Sequence, residues 1–539
     1  MKFTRRSFML GGAAFLSALG LGRLSIAPAA KPVSGRILGA SAARGHKLWS
    51  PAFPEITETT EKDVVIIGGG IAGLGAAYRL HKAGATNFSL LELEETAGGN
   101  AQSGRNNVSA YPWGAHYVPL LTEESRAPRK LFEELGIITG ANGAGVPVYN
   151  EYYLCSDPEE RLYIRGRWQE GLVPVIGASD DDKAQYDRFF KWMDACKNKR
   201  GADGRKIFAI PVDESSQDAE WLKFDAMTMA DWMAGEGYTS PYLRWYVDYS
   251  CRDDYGTRAD ETSAWAGMHY FTARTGIAAN GTNQDVVTWP EGNGFLAHAL
   301  MKRVAQNIIP NALAFAVREE AGGVVVDYFD HAANISRRIR ARAAVMAMPQ
   351  FIGQRLTPNA PPAHDFSYAP WVVANITLSA LPEGKGVDMA WDNMIYDSKL
   401  LGYVVATHQS INMVQRQTVL TYYWPLTHLP PKDARHEALD KTYGQWRDVF
   451  LQELFAVHPD LKDKVESLDV MVWGHAMVRP TPGFIWGAAR RAALAQKPPI
   501  FRAHSDMSGI SIFEEAYTHG VRAAENTLAH LGHAVVTEL

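Results

Sequence analysis

Four β-branched residues in succession, Val64 to Ile67, make an apolar run without a polar break. That is the pattern of a short strand buried on both faces. The period then changes. From Leu74 to Gly84 small and apolar residues recur at helical spacing and the run closes on a glycine, which predicts a helix ending there. Phe88 to Leu93 is apolar again and predicts a second strand. Strand, helix and strand in this order predict the start of a parallel α/β layer.

Further along, the pattern divides the chain. Between residue 126 and about residue 284 it is mostly helical, as in Lys130 to Leu135, Tyr186 to Lys197 and Met227 to Glu236. Leu296 to Ala305 predicts another helix, Leu313 to Val317 and Gly323 to Phe329 a strand pair about a glycine turn, and Ile339 to Met348 a strand stopped by Pro349. From Tyr368 to about Thr481 the runs Trp371 to Leu378, Leu401 to Thr407, Val419 to Trp424 and Val470 to Trp473 predict a second sheet. Pro499 to Ser505 reads as a strand with Asp506 just past it. A helix follows in which Phe513, Ala516, Tyr517, Gly520, Val521 and Ala524 share one face.

The turn after the first strand carries candidate chemistry. Gly68, Gly70 and Gly73 form G-x-G-x-x-G. Gly68 permits a tight turn, Gly70 lets a pyrophosphate approach the backbone, and Gly73 lets helix and strand pack closely. Ile71 and Ala72 open the helix, whose free N–H groups and dipole favour phosphate. Glu92 lies about 20 residues past the last glycine, where a carboxylate can accept both hydroxyl protons of an adenosine ribose. Glu94 is the alternative should the strand end later.

With the following Gly98-Gly99 pair, these residues resemble the flavin-containing amine oxidase and phytoene desaturase superfamily. The resemblance spans roughly residues 60 to 530 and implies FAD as cofactor. It implies an α/β fold with a doubly wound, Rossmann-like FAD-binding domain, residues 61–125, 285–350 and 482–539. A discontinuous α+β substrate domain would take residues 126–284 and 351–481. By resemblance Gly98 and Gly99 lie beside the pyrophosphate, and Asn100 stands where the family commonly has Arg. Gly114, Ala115 and His116 belong to the strand that passes the flavin ring, with Trp113 replacing its usual Asp. Ala314 and Val317 are placed against the adenine and Asp506 by the ribityl or phosphate groups. Ile512 is placed at the last helix's N-terminus, which points at the flavin carbonyl.

The chemistry implied is hydride transfer from a substrate carbon to FAD. Family amine oxidases hold a water beside the flavin with a Lys; Asn375 falls at that position here. Their flanking aromatic pair falls near Ile512 and Phe484. These departures leave amines and other reduced carbons open as substrates. His116 and His475 are the histidine candidates for a proton acceptor, against a structural role for each. Asp253-Asp254 reads as a solvated turn or helix cap, because sequence neighbours point apart. Arg479, before Pro-Thr-Pro, reads as a loop anchor, and Trp424 and Trp473 as packing or cavity lining. Two other functions stay open. One is a non-redox, mutase-like flavoprotein, since Gly98-Gly99-Asn100-Ala101 also occurs in flavin-dependent sugar mutases; the other is an inactive scaffold.

Composition adds bounds. A chain of 539 residues exceeds one simple core, and a net charge of −5 gives no electrostatic reason for a nucleic-acid partner. Cys155, Cys196 and Cys251 make no C-x-x-C, and no spaced His/Cys/Asp set suggests a metal. Arg5-Arg6, an apolar run to about Leu21 and Ala27-Pro28-Ala29-Ala30 predict a twin-arginine signal over residues 1–30. Residues 31–60 read as a linker or arm. The expected setting is the periplasm and the expected partners are the twin-arginine export machinery and a small-molecule substrate. The electron acceptor and the oligomeric state stay open.

Overall fold

The computed structural model describes residues 33–49, 52–357, 363–411 and 414–539; the twin-arginine segment lies outside them. Contacts divide the chain into two units, Met1–Ser34 and Gly35–Leu539, and every element named here belongs to the second.

The first sheet is built around Ile56–Ile67, which pairs in parallel with Phe88–Leu91 on one side and Ile335–Met346 on the other. Ile308–Ile309 joins Phe88–Leu91 in parallel, and Ile500–Arg502 joins Ile335–Met346. Ala312–Glu320 and Gly323–Asp330 extend it as an antiparallel flap. The central strand starts earlier than its apolar run. Glu58 to Glu61 are exposed yet stay in register with Arg337 to Arg340, so polar residues on an uncovered extension hid the strand.

Helix Ile71–Lys82 crosses the terminal helix Phe513–His530 at very short range. A Cβ on Gly520 would stand 2.2 Å from the Ala72 carbonyl oxygen. Tyr517 fills the surface over Gly75, where a Cβ would meet its ring at 3.0 Å. Glycines at the crossing let backbone meet backbone and leave room for the Tyr517 ring between the two helices.

The second sheet runs, in order, Ile37–Leu38, Val465–Val478, Tyr368–Leu378, Thr418–Pro425, Gly402–Val405, Asp392–Ile395, Glu160–Ile164 and Arg167–Glu170. The sequence pattern marks its three long strands, Val465–Val478, Tyr368–Leu378 and Thr418–Pro425, and the short Gly402–Val405 beside them. The hairpin Glu160–Glu170 falls in a stretch expected to be mostly helical. Helices Asp180–Lys197, Pro241–Tyr255 and Ala264–Thr272 share an aromatic-rich core beside this sheet. Ser240 caps the second of them over Pro241, and Gly256, at φ 58°, ends it in the left-handed conformation.

The expected linker is folded from Gly35 onward. Ile37–Leu38 pairs in parallel with Val470 and Met471 of the second sheet. A few residues on, Ser41 N–H donates to Glu94 at 2.6 Å and Arg44 donates to Asn311 at 2.8 Å, both on the first domain. The arm therefore touches both halves.

Candidate active site

The two glycine turns meet edge to edge. Gly68 has φ +102°, and a Cβ there would lie 2.3 Å from the Ala347 carbonyl oxygen. A Cβ on Gly73 would lie 1.9 Å from the Gly68 carbonyl oxygen, so only glycine admits the close return of helix onto strand. Gly98 N–H donates to the Gly69 carbonyl at 2.8 Å, and Gly70 pairs with Gly98 as a bridge. Gly70 itself faces open space, with no atom nearer to a Cβ there than 4.0 Å. The result is a slot of about 1030 Å³ floored by Gly68 to Ala72 and Gly98 to Asn100.

Glu92 sits at one end of the slot and is buried. Its carboxylate accepts from Gly69 N–H and Glu94 N–H, both at 2.8 Å. Burial nevertheless pushes the acid up to about 7, the N–H groups offsetting only part of the desolvation. Glu94 turns outward to Ser41 and Arg44, so Glu92 is the slot's acid.

Asp506 lines the same slot and is 1% exposed. One carboxylate oxygen accepts from Gln350 N–H at 3.0 Å and Tyr368 Oη at 2.6 Å. The other, Oδ1, has no donor. Its neighbour His504 Nδ1, at 2.9 Å, already accepts from Asp506 N–H and so presents a lone pair. An orphaned buried acceptor on the slot wall is what a sugar or ribityl hydroxyl would satisfy. Glycine cradle, buried acid and free acceptor together fit FAD.

Beyond Asn100, Ala115 and Ile512, which line both spaces, the slot opens into a cavity of about 840 Å³. Asn100 donates its side-chain amide to the Ala476 carbonyl and so ties the glycine turn to the second sheet. Tyr423 Oη donates to the Gly114 carbonyl at 2.9 Å, and Trp473 Nε1 to the Trp113 carbonyl at 2.6 Å. Tyr117, Trp371, Tyr423 and Trp473 wall the cavity, with Val373 between them. His116 stacks on Tyr423, centroids 4.6 Å apart, and burial lowers it to about 4, so it is a neutral imidazole at ordinary pH.

The cavity's charge comes from the end of helix Pro241–Tyr255. Asp254 is ion-paired with Arg274. Asp253 has no cationic partner of its own among the described residues. Burial, then the Asp254 charge, pushes its acid up to about 7. Glu514, 2% exposed at the start of the terminal helix, is likewise pushed up to about 7 by burial. The expectation of a solvated turn at Asp253-Asp254 is overturned. Adjacent helical residues diverge by about 100°, but the cavity wraps the helix end and receives both. The visible signal was the pair of acids one residue before Tyr255-Gly256, a helix stop.

Other expectations move. Asn375 is on the same strand face as Trp371 and Val373 but two residues beyond the cavity. It donates to the Pro112 carbonyl at 2.9 Å and accepts from Thr421 at 2.6 Å, a satisfied structural amide. Val373 is the residue of that strand at the cavity. His475 stacks on Phe351 at 4.6 Å along the cofactor slot and does not line the substrate cavity. Ala314 and Val317 pack in the core with Val65 and Ile67, off the slot wall. Phe484 is core, and Arg479 pairs with Glu261 at 2.5 Å as an anchor.

Residues 66–135 match the family model of the NAD(P)-binding Rossmann-like domain. A probable flavin-containing monoamine oxidase A of Dictyostelium discoideum is 21% identical over 57% of this chain and 62% of its own length. An L-amino-acid oxidase of Bothrops jararacussu is 38% identical over 15% of this chain and 16% of its own length. The chain thus spans less than two thirds of these curated relatives. Among solved structures, putrescine oxidase bound to putrescine superposes with a TM-score of 0.62 at 15% identity, covering 87% of this chain and 100% of that one. Cyclohexylamine oxidase from Brevibacterium oxydans gives 0.63 at 15% identity, covering 88% and 100%. At such identity the likeness is one of fold. The fold is one shared with these amine oxidases, built on a Rossmann-like dinucleotide-binding domain.

Proposed function

We propose that the protein is an exported FAD-dependent oxidoreductase that oxidises a cationic amine. The observation that carries this reading is Asp253, a half-buried carboxylate without an ion-pair partner among the described residues, on an aromatic-walled cavity that opens into the cofactor slot. The wall of Trp371, Tyr423 and Trp473 adds π faces that favour the same ligand charge. The names of the similar proteins, monoamine, putrescine and cyclohexylamine oxidases, agree in substrate class.

Bound in the slot, FAD supplies a two-electron acceptor. The chain's residues do the rest. Glycine turns and helix N-terminus would hold the pyrophosphate, Glu92 the ribose, and Asp506 Oδ1 a hydroxyl. Asp253 orients the ammonium. An ammonium must lose its proton before the adjoining carbon can be oxidised, and Asp253, raised to about 7, is a better acceptor than His116, lowered to about 4. The test is anaerobic mixing of the purified yellow protein with amines. Bleaching of the flavin band supports the reading; a protein that takes up FAD but is bleached by no amine refutes it. A colourless protein that takes up no FAD would mark a scaffold. Export by the twin-arginine route is tested by Arg5→Lys with Arg6→Lys, which should leave the protein in the cytoplasm.

A further inference from the structure

The cavity beside the slot continues past His116, Tyr117 and Asp253 into an outer chamber of about 1860 Å³. Its charge is lopsided. Two cations line it, and both are taken: Arg274 by Asp254, and Lys197 by Asp194 at 2.8 Å. Glu159, Glu160, Asp285 and Asp392 line it without a cation partner among the described residues.

Glu160 and Asp392 are the telling pair. They begin two adjacent parallel strands, Glu160–Ile164 and Asp392–Ile395, and stand directly opposite each other in register. Like charges so placed on neighbouring strands are destabilising. Asp392 is 8% exposed, and its Oδ1 is buried without a hydrogen-bond partner. Glu160 is exposed and faces the chamber. Tyr249 and Trp391 line the same chamber, and Tyr249 lies within electrostatic reach of Asp253, Asp392 and Glu160. Desolvation raises all three acids, and it raises Glu159 to about 8. Among the described residues no group of three or more His, Cys, Asp or Glu is arranged to hold a metal ion. Aromatic faces suit an alkylammonium better than a hydrated metal.

We propose that Glu160 and Asp392 bind a second cationic group of the substrate, so that the protein selects a diamine or polyamine whose reacting end lies at Asp253. This rests on the amine reading above and adds the distal site.

The test compares putrescine and spermidine with butylamine in the native protein and in Glu160→Gln and Asp392→Asn. Anaerobic flavin reduction should favour putrescine over butylamine by about 100-fold in kcat/KM, and each variant should cut that ratio by about 30-fold. Thermal unfolding gives a readout free of turnover. Spermidine should raise the Tm of the native protein and lose most of that effect in Asp392→Asn. The variant alone should melt no lower than the native protein, because a like charge is gone. Equal kcat/KM for putrescine and butylamine, or a spermidine shift that survives both substitutions, would overturn the distal site. Flavin that no amine bleaches, with the spermidine shift present and lost in the variants, would sustain the cation site and refute the oxidase reading.

Discussion

The cofactor slot and the substrate chamber meet at Asn100 and Ile512 but are made by opposite means. The slot is made by omission: Gly68, Gly70, Gly73 and Gly98 remove side chains so that backbone can meet backbone and ligand. The chamber is made by addition: its walls are aromatic rings and unneutralised acids carried on a helix end and two short strands. A site of omission fails when an atom is added. A site of addition fails when a charge is taken away.

The largest expected effect is therefore Gly73→Val. A branched side chain where even a Cβ would sit 1.9 Å from a carbonyl oxygen should abolish soluble holoprotein, read as loss of yellow protein after purification. Asp253→Asn comes next. It should lower amine kcat/KM by about 30- to 1000-fold, the cost of losing one partner of a buried charge pair, with the flavin content unchanged. Loss of flavin in that variant would mean the two regions are not separable. Glu92→Ala should weaken FAD binding by about 10- to 100-fold, measured by equilibrium release of flavin fluorescence.

A smaller effect is graded with pH. Asp253 and Glu514 are raised from ordinary carboxylate values to about 7 in the folded state. Between about pH 4 and pH 7 the folded protein thus holds more protons than the unfolded chain. Their contribution to stability is full below that window, declines as pH rises through it, and is gone above about pH 7. Urea midpoints of the ligand-free protein should fall across the window, and Asp253→Asn should flatten the fall. The smallest catalytic effect belongs to Asn375→Ala. It should change kcat/KM by no more than about 2-fold while costing about 1–3 kcal/mol of stability, because Thr421 and the Pro112 carbonyl lose a partner.

The same contrast explains what was legible in the chain. Omission leaves a local signature: glycines at fixed spacing, a strand before them and an acid about 20 residues later are all read within one short window. The slot's floor and Glu92 were visible for that reason. The chamber is assembled from residues 116, 253, 274, 371, 392 and 423, which no window spans. Asp253 was misread because helix geometry says where a side chain leaves the backbone, not which surface curls round to meet it. Asn375 was misplaced by two residues because a strand repeats its face at that interval, so Val373 and Asn375 satisfy the same alternation. Ala314 and Val317 were placed by analogy, and core packing claimed them.

The arm that begins at Gly35 has a consequence in time. Ile37 and Leu38 find their strand partners only at Val470 and Met471. During synthesis these two residues must wait, unpaired, until more than four hundred further residues have left the ribosome. That short β-ladder therefore closes late, when of the first sheet's strands only Ile500–Arg502 is still to come.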